Sequence, residues 1–132
     1  MLGIMAVTAL AAGVGYVRLA PSDPARWHRP VEQDEHTDFR GGALRVLPGD
    51  RTSLAAFDVA LLALPRTRLL AGSLEEGRLT YITRSRVIGF PDYTTLELDG
   101  GQVKLFARLR FGGSDLGVNA ARLDGLLRQV AP

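Results

Sequence analysis

The 132-residue chain contains no cysteine. Disulfides, thiolate nucleophiles, cysteine-ligated zinc and a lipid-bearing cysteine are thereby excluded. Lysine is almost absent too: of sixteen cationic residues, only Lys104 is not arginine. Strong charge of one sign is missing. Sixteen cations against fourteen carboxylates leave a net charge of +2, although the isoelectric point is about 9.5. The cations are scattered rather than gathered in a stripe, which speaks against a nucleic-acid partner. No glycine-rich loop opens a helix after a parallel strand, so a nucleotide site lacks support. There is no internal repeat.

What is present begins with an apolar N-terminus. Residues 1–17 carry no charge, and Arg18 is the first. Seventeen helical residues span about 25 Å, slightly short of a hydrocarbon core of about 30 Å. Snorkelling by Arg18 would let Leu19 and Ala20 complete the span. Residues 1–20 are therefore expected to form an N-terminal transmembrane helix, a single-pass membrane anchor. Gly3, Thr8, Gly13 and Gly15 weaken the apolar signal, while Tyr16 and Trp27 suit an interface. A cleaved signal peptide is the rival reading. It lacks a basic start, and Pro21 after Ala20 opposes cleavage there. Arg18, Arg26 and Arg29 favour a cytoplasmic domain by the positive-inside rule, but so short a leading tail leaves periplasmic and cytoplasmic placement both open.

Residues 21–38 read as a proline-rich, then acidic, linker: Pro21, Pro24 and Pro30 precede Glu32, Asp34, Glu35 and Asp38 around His36. Two histidines among carboxylates suggest a metal, but no ligand spacing is diagnostic, and a hydrated loop explains them more simply. No metal and no cofactor are assigned.

Residues 39–132 are expected to form an α+β domain. Residues 43–47 suit a short strand. Thr52 or Ser53 offers an N-cap, and Leu54, Phe57, Leu61 and Leu64 follow at helical spacing until Pro65. Residues 66–71 suit another strand. Residues 79–87 alternate, with Thr80, Ile82, Arg84 and Arg86 on one side. A turn over 89–92 leads to two strands, 93–98 and 103–111, around Asp99-Gly100-Gly101-Gln102, a strong hairpin signal. With Gly100 and Gly101 as the loop, Leu98 pairs with Val103, Leu96 with Leu105 and Glu97 with Lys104. Tyr93, Thr95, Glu97, Lys104, Phe106, Arg108 and Arg110 then share the face away from the core. Ser114 and Asp115 cap a last helix whose apolar stripe is Leu123, Leu126, Leu127 and Val130. The expected fold is an antiparallel sheet of about four to five strands packed against two helices.

The stretches TRSRVIGFPDYTTLEL (83–98) and ARLRFGGSDLGVNAARLDGLL (107–127) resemble a widespread bacterial family, also present in plastids, known as domain of unknown function fourteen-ninety-nine. The segment RLAPSDPARWH (18–28) is similar to the stretch after the N-terminal anchor in many members. The resemblance implies an envelope-associated α+β domain, held by its anchor in a bacterial inner (cytoplasmic) membrane, and supplies no activity.

Three readings compete for the polar residues. In the structural one, Asp115 caps the helix, Asn119 bonds the preceding loop, Gly117 permits a tight approach, Ser114 supports the cap, and Arg108 or Arg110 pairs with Asp92 or Asp115 across the sheet. In the binding one, Arg84, Arg86, Tyr93, Arg108 and Arg110 share one sheet face and hold an anionic ligand, a lipid headgroup or an acidic envelope protein. In the catalytic one, Asp92 and Asp115 form a carboxylate pair of a hydrolase-type enzyme, but no nucleophile accompanies them. The sequence favours a binding or scaffold role over an enzyme.

Overall fold

The computed structural model describes residues 2–130. Its elements, in chain order, are α1 (Leu2–Leu19), α2 (Pro24–Trp27), β1 (Thr37–Phe39), β2 (Gly42–Pro48), α3 (Arg51–Leu62), β3 (Thr67–Ser73), β4 (Arg78–Arg84), β5 (Pro91–Asp99), β6 (Gln102–Leu109) and α4 (Val118–Val130). The strands form one six-stranded sheet in the order β1-β2-β6-β5-β4-β3. Every neighbouring pair is antiparallel.

The glycine pair between β5 and β6 sets the central register. Leu98 faces Val103, Glu97 faces Lys104 and Leu96 faces Leu105, as the hairpin reading requires. Period-two alternation then sends Leu79, Tyr81, Leu96, Val103, Leu105 and Ala107 to one face. There they meet Leu54, Phe57 and Leu61 of α3 and Leu123 and Leu126 of α4 in a single buried core. Helix α3 begins two or three residues earlier than an N-cap at Thr52 or Ser53 would place it. Asp50 is its N-cap, accepting from the Ser53 N–H while Ser53 Oγ accepts from the Asp50 N–H.

The sheet has six strands rather than four or five because β1 was hidden in the acidic stretch. Thr37, Asp38 and Phe39 pair with Leu44, Ala43 and Gly42. The stretch expected to be a free linker runs across the second sheet face instead. Trp27 and Val31 are buried there, and Trp27, Ile82 and Tyr93 form a second apolar cluster. Both sheet faces are thus covered, one by helices and the other by residues 20–36. Gly72 makes room for this crossing. It lies in β3 at φ +98°, and a Cβ there would come within 2.7 Å of the His28 ring.

The transmembrane expectation is corrected. Among the described residues, no helix is long and apolar enough to cross a membrane. The reading relied on Arg18 turning outward to complete the span. Arg18 turns inward instead: Nε donates to the Ile88 carbonyl at 2.9 Å and Nη2 to that of Val87. The last turn of α1 is therefore part of the domain surface, Tyr16 meets Phe111 edge-on at 5.8 Å, and Ala20 is buried. The single-pass inner-membrane placement falls with the span.

Candidate functional site

The residues predicted to form one arginine face separate into two groups. Arg108 and Arg110 hold the crossing segment. Arg108 Nη1 donates to Thr95 Oγ1 at 2.8 Å and to the Phe106 carbonyl at 3.0 Å, and Nη2 donates to the Trp27 carbonyl. Arg110 Nη1 donates to the Pro21 carbonyl at 2.8 Å and to the Tyr93 hydroxyl at 3.1 Å. That hydroxyl also bonds Ser22 Oγ at 2.6 Å, and the Tyr93 ring stacks on Trp27 with centroids 4.0 Å apart. Burial lowers the Arg108 guanidinium to about 10, with the neighbouring Tyr93 acting in the opposite direction. These side chains clamp backbone carbonyls of the N-terminal segment and are not free for a ligand.

Arg84 and Arg86 lie elsewhere, in a cleft of about 550 Å³ lined by Arg18, Arg66, Thr67, Arg68, Ile82, Arg84, Ser85, Arg86 and Gly89. The alternation over 79–87 predicted one strand carrying both. The strand stops at Arg84. Ser85 Oγ accepts from the Gly89 and Phe90 N–H groups at 3.0 and 2.8 Å, and the Ser85 N–H donates to the Phe90 carbonyl at 2.9 Å, so the chain turns. Gly89 allows that turn at φ +83°, with the Arg18 side chain 3.0 Å from where a Cβ would lie. Arg86 leaves the sheet and enters the cleft from the loop.

Three arginines of the cleft were not predicted. Arg18 comes from the end of α1; Arg66 and Arg68 come from the start of β3, which antiparallel pairing sets beside the end of β4. A signal for two of them was in the sequence. Arg66-Thr67-Arg68 and Arg84-Ser85-Arg86 are matching triplets, and the hairpin between them brings the two together. Arg66 sits at φ +55°, a left-handed conformation that a non-glycine residue adopts at some cost.

Three of the cleft's five guanidinium groups are oriented by neutral acceptors. Arg18 bonds the Val87 and Ile88 carbonyls, Arg66 Nε bonds the Arg84 carbonyl at 3.0 Å, and Arg84 Nη1 bonds the Gly89 carbonyl at 2.9 Å and that of Val17 at 3.4 Å. Among the described residues, no carboxylate lines the cleft. Four cations elsewhere are neutralised: Arg45 by Asp38 and Asp124, Arg78 by Glu76 and Glu97, Lys104 by Asp99, and Arg122 by Asp92. Among the described residues, none of the five cleft arginines has such a partner.

The motif residues build a helix start. Asp115 Oδ1 accepts from the Gly117 N–H at 2.9 Å and Oδ2 from the Asn119 N–H at 3.1 Å. Burial works to raise this carboxyl, but those N–H groups and the Asn119 side chain hold it below the usual range. Ser114 Oγ accepts from the Leu116 N–H at 3.3 Å, and Gly117 takes φ +80°. Asn119 is fully buried; its side-chain oxygen accepts from Arg122 Nη1, which also reaches Asp92 at 3.5 Å. Asp92 is pushed up by burial, against the charge and hydrogen bond of Arg122, with Asp115 adding to the rise. It lines a smaller cleft of about 270 Å³ that shares Arg66, Arg84 and Ser85 with the larger one.

Because Asp92 holds its proton more tightly folded than unfolded, its contribution to stability is complete below the unfolded carboxylate range. It is lost as pH rises through the higher folded value. Replacing Arg122 by Gln removes the main opposing influence, so the Asp92 carboxyl is expected to titrate higher still. Carbon-13 NMR of the carboxyl, followed against pH in both proteins, measures this; an unchanged midpoint would show that Arg122 does not act on Asp92.

A family model described as "Protein of unknown function (DUF1499)" matches residues 18–130. No curated protein matches the chain. The family match starts at Arg18, the first cleft arginine, and covers all the others.

Proposed function

We propose, from the premise that the chain belongs to the DUF1499 family, that it is a binding protein for a phosphate- or carboxylate-bearing ligand. One observation carries the reading: five arginines line a single cleft with no carboxylate among its lining residues. Like charges brought together repel, and carbonyl acceptors orient guanidinium groups without cancelling their charge. An entering anion relieves that repulsion and gains charge-assisted hydrogen bonds, with the planar fork of arginine suited to two oxygens at once. The cleft offers no nucleophile and base in contact, so recognition is favoured over turnover. Arg108 and Arg110 are left out of this reading: they pair with neither Asp92 nor Asp115 and are spent on carbonyls of the crossing segment.

Titration calorimetry with inorganic phosphate at low salt tests this. The wild-type chain is expected to bind, and Arg84→Ala/Arg86→Ala to bind at least about tenfold more weakly. Arg26→Ala, outside the cleft, is expected to change affinity by less than about twofold. Equal weakening by both proteins, or phosphate binding no tighter than chloride binding, would sink the proposal.

A further inference from the structure

We infer that the anion held by the arginine cleft is an amphiphile, with one phosphate or carboxylate head and an apolar tail. This rests on the reading of the cleft as an anion site and adds the chemistry of what is attached to the anion.

The floor and rim are not those of a site for a bare inorganic ion. Ile82 lies beneath the cleft, 1% exposed and already packed in the second apolar cluster with Trp27 and Tyr93, so the free apolar surface lies at the rim. The aliphatic stems of five arginines add further apolar wall. The chain beside the cleft carries large apolar side chains that the fold leaves in water. Leu19, next to Arg18, is 83% exposed, and Val87, next to Arg86, is 76% exposed. Ile88 follows Val87, and the carbonyls of both accept from Arg18, so these residues meet at one edge of the cleft. Single exposed apolar residues are ordinary, but a cluster beside a concave polar site marks a ligand or partner surface. Arginine alone satisfies the head. Apolar groups flanking it are covered only if the head carries a tail.

The occupant is a single molecule lying in the cleft. Its head is held by guanidinium groups from three separate parts of the chain: the end of α1, the start of β3, and the end of β4 with its loop. Its first methylenes lie over the arginine stems and the Val87–Ile88 edge.

Calorimetry with inorganic, butyl, hexyl and octyl phosphate, each below its aggregation concentration, separates head from tail. Affinity is expected to rise by about two- to fourfold per methylene over the first several carbons. Octanol, lacking the head, is expected not to bind at the cleft, and Arg84→Ala/Arg86→Ala to weaken the whole series together. In NMR spectra, tail length is expected to move the Ile82 and Gly89 amide signals. A flat series with inorganic phosphate still bound would overturn the tail while leaving the anion site standing. Loss of phosphate binding itself would overturn the anion site instead. Tail-dependent shifts confined to α1, or binding to phosphatidylglycerol vesicles with none to monomeric alkyl phosphates, would also overturn the inference.

Discussion

Trp27→Ala is expected to lower the unfolding free energy by about 3–5 kcal/mol, the usual cost of deleting a buried large aromatic. The indole is 9% exposed and lies nearly parallel to Tyr93, at an interplanar angle of 12°. The guanidinium of Arg108 sits 5.6 Å from its centroid and that of Arg26 sits 4.6 Å away. Truncation opens a void above Tyr93 and Ile82 and removes both cation–π partners. It also loosens the segment whose carbonyl Arg108 needs, so a buried guanidinium loses its acceptor. Urea unfolding followed by circular dichroism measures the loss, and Trp27→Phe is expected to recover part of it. A loss below about 1 kcal/mol would mean that residues 20–36 are not part of the cooperative unit.

Glu97→Ala is expected to cost about 3 kcal/mol or more, because it breaks a buried ionic network from its centre. The Glu97 side chain is 6% exposed and accepts from Arg78 Nε at 2.6 Å and from the Val31 N–H at 3.3 and 3.4 Å. Across the hairpin it faces Lys104, whose side chain is 3% exposed and donates to the Val31 carbonyl at 3.2 Å and to Asp99 at 3.0 Å. Asp99 is 62% exposed and hydrated, so it offsets little of the buried positive charge once Glu97 is gone. The paired replacement Glu97→Leu/Lys104→Met is expected to regain part of the loss, since it removes both buried charges and leaves Arg78, 25% exposed, with Glu76 at 3.7 Å. A double-mutant cycle by chemical denaturation reads the coupling; independent, additive losses would show that the two residues do not share one network.

Much of the sheet was legible because its cause is local. Gly100 and Gly101 fix a turn, period two fixes the faces, and helical spacing marks Phe57 and Leu123. The crossing segment was not legible, because nothing in its own pattern reveals its partner. Tyr93, Arg108, Glu97 and Lys104 look like a solvent face until Trp27 and Val31 are laid over them. The one hint was apolar bulk where a linker needs none, at Trp27 and Val31, opposite Tyr93 and Ile82. The site divided in the same way. Arg84 and Arg86 could be picked out from one strand. Arg66 and Arg68 required knowing that β3 lies beside β4, and Arg18 required knowing that the end of α1 rests against the loop over 87–88. Arg108 and Arg110 had the right chemistry for an anion, but they met carbonyl oxygens of their own chain first.

The crossing segment also sets an order of events. It leaves the ribosome early, yet the surface it covers is built from β4, β5 and β6, and β2 must wait for β6 to pair Gly42 with Arg108. Closing so long a loop is slow compared with local helix formation. Through most of synthesis, therefore, Trp27 and the apolar α1 have no native partner, and this stretch is the chain's principal exposure to chaperones and to aggregation until the final hairpin emerges.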